Sequence, residues 1–251
     1  MDAYKAYMIC TSPRSGSTLL CKLLQDAKTA GAPDSHFHAP SLEKWLGYYD
    51  LQGDEFPTKA EALDAVFEAA IARGTAGSGV FGLRIQRPSF LFFVEQLALR
   101  FPSHPDDKAR IEAAFGRTLF VHLTRESKLD QAISFVRATQ SGLWHRASDG
   151  TELERLSAPR ETVYDAKAIA SQLEQFEQMD RAWEAWFEVQ NITPLRLTYD
   201  TLSADPHAAL SQVLTALGLE AATTKTTPPT AKLADGVNDE WAARFRAGEG
   251  L

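Results

Sequence analysis

Short apolar runs and longer stretches of helical periodicity succeed one another along this chain. Residues 6–10 (AYMIC) are a continuous apolar run that ends in the polar TSPRSGST, after which Leu19, Leu20, Leu23 and Leu24 recur at helical spacing. This predicts strand, loop, helix. The polar, proline-containing GAPDSHFHAP leads to a helix over SLEKWLGYYD, and PTKAEALDAVFEAAIARG carries a proline start, an alanine-rich interior and a glycine stop. GVFGLRI (79–85) then predicts a strand and RPSFLFFVEQLALRF a helix, with Pro88 in its first turn. RTLFVHLTR (117–125) is the clearest buried strand, and it runs into ESKLDQAISFVRATQSG, a helix expected to start near Glu126 or Ser127.

The polar region 143–160 lacks periodicity and is expected to be a long surface loop, the kind that often carries function. Residues 161–190 form one long helical pattern whose Phe176, Trp183, Trp186 and Phe187 fall near an i, i+3, i+4 stripe, best suited to core packing. TPLRLTY predicts a strand, DTLSADPHAALSQVLTALG a helical stretch, TTKTTPPT a linker and NDEWAARFRAG a last amphipathic piece. The alternation predicts an α/β fold: a P-loop-like parallel β-sheet flanked by helices on both faces, with ligands at the carboxyl ends of the strands. Residues 1–251 are expected to form a single domain, ample at 44% apolar composition to bury a full core.

Charge narrows the partners. A formal net charge of -7 and a pI near 5.4 favour neither nucleic acid nor an anionic membrane surface, so any anion site must be local. No window approaches the apolar length of a membrane span, and no leader pattern opens the chain, which predicts a cytoplasmic protein. Cys10 and Cys21 stand alone without metal-ligand spacing, so no metal site is expected.

The local anion site is legible in SPRSGSTLL (12–20). Ser12, Ser15, Gly16, Ser17 and Thr18 are small enough for backbone N–H groups to approach an anion at a helix start, and Arg14 adds a fixed fork of donors. The lysine of a nucleotidase P-loop, G-x-x-x-x-G-K-[ST], is missing, which leaves a P-loop kinase only as a minor alternative. A second set of donors comes from Arg125 at the end of its strand and Ser134, nine residues on in the following helix. Together the two sets suggest two phosphate positions on one ligand.

These residues resemble the sulfotransferases that use 3′-phosphoadenosine 5′-phosphosulfate (PAPS), specifically the bacterial trehalose 2-sulfotransferase type, over most of the chain. SxRSGSTLL of that family is matched by Ser12 to Leu20, HRPDxxSQAVSFWRA by LTRESKLDQAISFVRA, AVQTxxW by ATQSGLW (138–144) and QADxxSDEWVxRYR by LADGVNDEWAARFR (233–246). The resemblance implies a PAPS-dependent transferase of the EC 2.8.2 type, metal-free, acting on a hydroxyl of a small-molecule, carbohydrate or lipid-linked acceptor. It places the 5′-phosphosulfate on Arg14, Ser15, Gly16, Ser17 and Thr18, and the 3′-phosphate on Arg125 and Ser134. It also implies a C-terminal segment (about 220–251) that folds back toward the nucleotide, where Lys232, just before LADGVNDEW, is a candidate for the 3′-phosphate. The resemblance also suggests a homodimer.

The acceptor side departs from the family. Its GEPxEFF, whose second glutamate is the general base, is replaced here by GAPDSHFH, with Ser35 at the base position. A serine is no base at neutral pH, whereas an imidazole, with an ordinary pKa near 6.5, is matched to the task. His36 is therefore the first candidate, with Asp34 and His38 as alternatives. Arg84 falls where the family has a strand lysine near the sulfuryl group, and Trp144 is a candidate to stack on a base or to line the acceptor pocket. His122 is expected to be a core histidine, and His104, His145 and His207 surface residues. Loss of the base would leave a different protein, a catalytically silent module that binds PAPS or its bisphosphate product.

Overall fold

The computed structural model describes residues 3–146, 151–220 and 236–250. Strand β1 (Ala6–Thr11) is followed by helices α1 (Ser17–Asp26), α2 (Leu42–Tyr48) and α3 (Lys59–Thr75), then by β2 (Phe81–Gln86), α4 (Arg87–Arg100) and α5 (Asp107–Phe115). Next come β3 (Thr118–Thr124), α6 (Lys128–Ser141), β4 (Leu143–Arg146), β5 (Glu152–Arg155) and α7 (Ala166–Val189). The chain continues through β6 (Leu195–Thr198), α8 (Tyr199–Ala204), α9 (Pro206–Leu217) and α10 (Gly236–Arg246). The central sheet has the order β2-β1-β3-β6, and every neighbouring pair is parallel.

The period of two along β1 explains the layering. Ala6, Met8 and Cys10 enter an aromatic-rich core with Phe37, Trp45, Phe67, Phe93 and Trp183, under α2, α3, α4 and α7. Tyr7 and Ile9 point to the opposite face, where Leu20 and Leu24 of α1 and Leu210, Val213 and Leu214 of α9 cover them. Both faces are buried, as a parallel sheet requires. A third cluster joins Ala132, Ile133 and Val136 of α6 to Ile169 and Phe176 of α7 and to Trp241 of α10. The predicted aromatic stripe of α7 is thus buried, and the Trp183 Nε1–H donates to Thr11 O at 3.0 Å, tying α7 to the last residue of β1. Burial of each such side chain contributes about 2 kcal/mol.

Register sets the position of the site. Thr11 lies beside Gln86 on one side and Leu123 on the other, so β1, β2 and β3 end together. The loops leaving β1 and β3, with Arg14 and Arg125, therefore emerge at one edge of the sheet.

Several local expectations are corrected. The span 143–160 is not an unstructured loop: β4 and β5 pair antiparallel within it. Gly74 does not stop its helix, which runs on to Thr75 with the left-handed cap at Ala76. Gly74 is needed for close packing: a Cβ there would lie 2.4 Å from Cε2 of Phe81 and 2.8 Å from Nε2 of His36. The segment before β3 holds α5, which the apolar pattern left unread because its mean face is polar and only Ile111 and Phe115 are buried. The helical stretch 200–218 divides at Asp205, whose side chain caps α9. Both cysteines are free and buried, as expected, and burial pushes the Cys21 thiol up to about 12. The TTKTTPPT segment and Lys232 lie outside the described residues.

Candidate functional site

The loop after β1 is bent by two left-handed residues, Arg14 (φ 64°) and Gly16 (φ 82°). Such a conformation at a non-glycine residue costs on the order of 1 kcal/mol and persists only where its surroundings hold it. They do so here. Thr11 Oγ1 lies 2.5 Å from Ser15 Oγ and donates to Leu123 O at 2.7 Å, so the hydroxyl of Ser15 is tied down inside the fold. The Gln131 Nε2 amide of α6 donates to Ser12 Oγ at 2.9 Å and to Pro13 O at 2.6 Å. Gly16 is the N-cap of α1, and neither a capping side chain nor a first-turn acid satisfies the helix start. First-turn amides have no intrahelical acceptor, so this end keeps its unpaired donors and positive dipole.

Basic groups converge on the same place. Arg14 Nε donates to Ser134 Oγ at 3.0 Å, and Nη1 donates to Trp144 O at 2.5 Å. The Arg125 guanidinium stacks over Tyr199, 4.7 Å from the ring centre. Burial, and after it the charge of Arg125, lowers the Arg14 pKa to about 10. Among the described residues neither arginine has an ion-paired carboxylate. Two guanidiniums held this close favour a shared anion. The structure thus brings together Arg14, Ser134, Arg125 and the start of α1, with the Trp144 ring packed edge-on against Phe135 at 5.4 Å.

Beside this loop lies a cavity of about 530 Å³. Its walls come from α1 (Thr18, Cys21, Lys22), the segment 32–36, Arg73, Arg84 and the β4–β5 hairpin. Segment 32–36 runs along the free edge of β2: Asp34 pairs with Leu83, and Arg84 N donates to Asp34 O at 3.0 Å. Arg84 is the hub, its Nε donating to Ser35 Oγ at 2.9 Å, Nη1 to Thr18 Oγ1 at 3.0 Å and Nη2 to Asp34 Oδ1 at 3.2 Å.

The two histidines of this segment have different surroundings. His36 is 1% exposed, with Nε2 3.1 Å from Ala32 O and Nδ1 3.2 Å from the Tyr49 hydroxyl. A carbonyl only accepts, so Nε2 carries the proton and the remaining lone pair faces Tyr49. Burial lowers its pKa and keeps the ring neutral. The Tyr49 hydroxyl also donates to His36 O at 3.0 Å, so the geometry makes His36 an anchor of the segment. His38 is exposed and does not line the cavity. His122 is buried as expected, with Nδ1 3.1 Å from Glu184 Oε1.

His145 is the residue that sequence reasoning missed. Expected at the surface, it is only 28% exposed; Nε2 lies 2.9 Å from Thr18 Oγ1 and Nδ1 2.5 Å from Glu154 Oε2. The hydrogen bond to His145 holds the Glu154 carboxyl below its usual range, against the opposing effect of burial. A signal was present. The dipeptide Asp149-Gly150 between two short runs favours a hairpin, but strands as charged as LWHR and ELER offer no apolar alternation.

A family model described as Stf0 sulphotransferase matches residues 6–248. The chain belongs to this family. Two trehalose 2-sulfotransferases are similar to this chain over nearly their whole lengths. The one from Mycobacterium tuberculosis is 28% identical over 265 residues, covering 98% of this chain and 96% of that protein. The one from Mycolicibacterium smegmatis is 27% identical over 268 residues with the same coverage. A solved sulfotransferase from Alicyclobacillus acidocaldarius has a TM-score of 0.46 at 11% identity, covering 99% of this chain and 93% of that one. Among the described residues no helix is long and apolar enough to cross a membrane, and no cluster of three or more histidine, cysteine or acidic side chains is placed to hold a metal.

Proposed function

We propose that this member of the Stf0 family moves a sulfuryl group from PAPS to a hydroxyl of a small-molecule or carbohydrate acceptor. The observation that carries the reading is the pair Arg14 and Arg125, two guanidiniums without ion-paired carboxylates among the described residues, at the uncapped start of α1. Those residues fit a nucleotide with two separate anionic groups. Arg14 and the amides of residues 15–18 would hold the phosphosulfate, and Arg125 and Ser134 the 3′-phosphate. When bound, the donor supplies a sulfuryl group on an activated phosphate oxygen. The chain supplies positioning, and charge at the oxygens that become more negative, as in phosphoryl transfer.

The acceptor would occupy the neighbouring cavity, whose volume of about 530 Å³ suits a small polar molecule. The relatives named for trehalose favour a carbohydrate. Arg73, Arg84, Asp34 and Lys22 offer the polar grip that a polyhydroxyl compound needs.

Calorimetric titration with adenosine 3′,5′-bisphosphate, run beside Mg-ATP and repeated on Arg125→Ala, tests the donor site. Bisphosphate binding weakened at least about tenfold in Arg125→Ala supports it, since a charge-assisted hydrogen bond is worth about 1.5–3 kcal/mol. Tighter binding of Mg-ATP sinks it. Transfer of labelled sulfate to a carbohydrate panel then separates an enzyme from a silent binding module.

A further inference from the structure

The hairpin residues His145 and Glu154 are joined to the nucleotide loop by a directed chain of hydrogen bonds. A carboxylate only accepts, so the 2.5 Å contact between Glu154 Oε2 and His145 Nδ1 puts the ring proton on Nδ1 and leaves Nε2 as a proton acceptor. Nε2 faces Thr18 Oγ1 at 2.9 Å. That hydroxyl oxygen already accepts an N–H from Arg84 Nη1 at 3.0 Å, so its own proton is available to Nε2. Thr18, Arg84, His145 and Glu154 all line one cavity. Carboxylate, imidazole and hydroxyl in series is the arrangement by which an alcohol is activated as a nucleophile.

We propose that His145 is the general base for the acceptor hydroxyl and Glu154 its positioning residue, an assignment that rests on the sulfuryl-transfer reading. Thr18 stands in the first turn of α1, on the loop assigned to the phosphosulfate, so a base within hydrogen-bond reach of Thr18 is at the reacting end of the cavity. An acceptor hydroxyl in the place that Thr18 Oγ1 holds at Nε2 gives its proton to Nε2. Its oxygen forms the new bond to sulfur, the bond from sulfur to the phosphate oxygen breaks, and that oxygen keeps the electron pair. Glu154 stabilises the imidazolium so formed. His36, the nearest competitor, is only 1% exposed and its Nε2 proton is committed to Ala32 O. Asp34 is engaged with Arg84, the Ser35 amide and the Tyr48 hydroxyl.

Three variants of the full chain, His145→Gln, His145→Ala and Glu154→Gln, test the assignment against adenosine 3′,5′-bisphosphate binding, which reports the donor site and the fold. Turnover is expected to fall about 10²–10⁴-fold in His145→Gln while bisphosphate affinity stays within about threefold of the wild type. Added imidazole restores part of the turnover in His145→Ala. In Glu154→Gln turnover falls at least about tenfold with little change in acceptor KM, the pattern of an interaction that matters in the transition state. The ligand-free wild type provides a readout independent of turnover. Its long-range proton–nitrogen NMR spectrum shows His145 as the Nδ1–H tautomer, by a signal absent in His145→Gln and displaced in Glu154→Gln, whereas that of His122, whose Nδ1 also faces a carboxylate, stays in all variants. Undiminished turnover in His145→Gln, or an Nε2–H tautomer at His145, overturns the assignment while leaving the donor reading intact. Failure of the wild type to bind bisphosphate overturns both.

Discussion

Arg14 Nε donates to Ser134 Oγ at 3.0 Å, across 120 residues of sequence. One bond thereby joins the loop after β1 to the second turn of α6, the two segments assigned to the two ends of one nucleotide. Arg14 spans them because its fork also reaches Trp144 O on β4.

A lysine cannot make that span. Its single ammonium lacks the planar fork that satisfies Ser134 and Trp144 together. Arg14→Lys is expected to weaken adenosine 3′,5′-bisphosphate binding by about 10–100-fold in calorimetry. Unchanged affinity would remove Arg14 from the site.

Gly16 is held to glycine twice over, by φ 82° and by Tyr199, whose Cδ2 would lie 2.5 Å from a Cβ. Gly16→Ala should cost about 2 kcal/mol or more, lowering Tm by about 4–8 °C. In the Tyr199→Ala background the clash disappears and the backbone strain stays, so part of the cost should remain. A neutral Gly16→Ala would contradict the packing of α8 on this loop.

Gly74 gives the opposite sign from an ordinary helix position. Alanine in an exposed helix interior stabilises by about 1 kcal/mol over glycine. At position 74 the added Cβ meets the Phe81 ring and His36 Nε2, so Gly74→Ala should destabilise by about 1–3 kcal/mol in a denaturant titration. A gain in stability would mean that the contact with His36 is loose.

His36 and His122 set an acid limit on stability. Burial lowers both pKa values below the ordinary imidazole value. Between the lowered pKa and about 6.5, the unfolded chain binds protons that the folded chain does not, so stability falls as pH falls through this window. Unfolding free energy should therefore decline from about pH 7 to pH 5, and His36→Phe should flatten the slope whatever its effect on absolute stability. An identical slope in the variant would show that His36 titrates normally.

The strands of the central sheet, most of the helices, the run of small residues at 12–18 before α1 and the place of Arg125 after β3 were legible in the sequence, whereas α5 and the β4–β5 hairpin were not. Each rests on local chemistry: an apolar run long enough for a buried strand, small residues before a helix, an arginine at a strand end. The parallel register then follows from β1 and β3 sharing a buried sheet, which brings Arg14 and Arg125 to one edge. What the tertiary structure alone decided is which way irregular segments turn their side chains. In APDSHFH no periodicity assigns a face. Pairing of Asp34 with the edge of β2 turns His36 into the pocket beside Gly74 and Tyr49, and leaves Asp34 and Ser35 on Arg84. The partners of His145 are Glu154, across a hairpin with little apolar signal, and Thr18, 127 residues away. A hydrogen bond of that range leaves no trace in local pattern, because what specifies it is the packing of two distant elements and not the sequence of either.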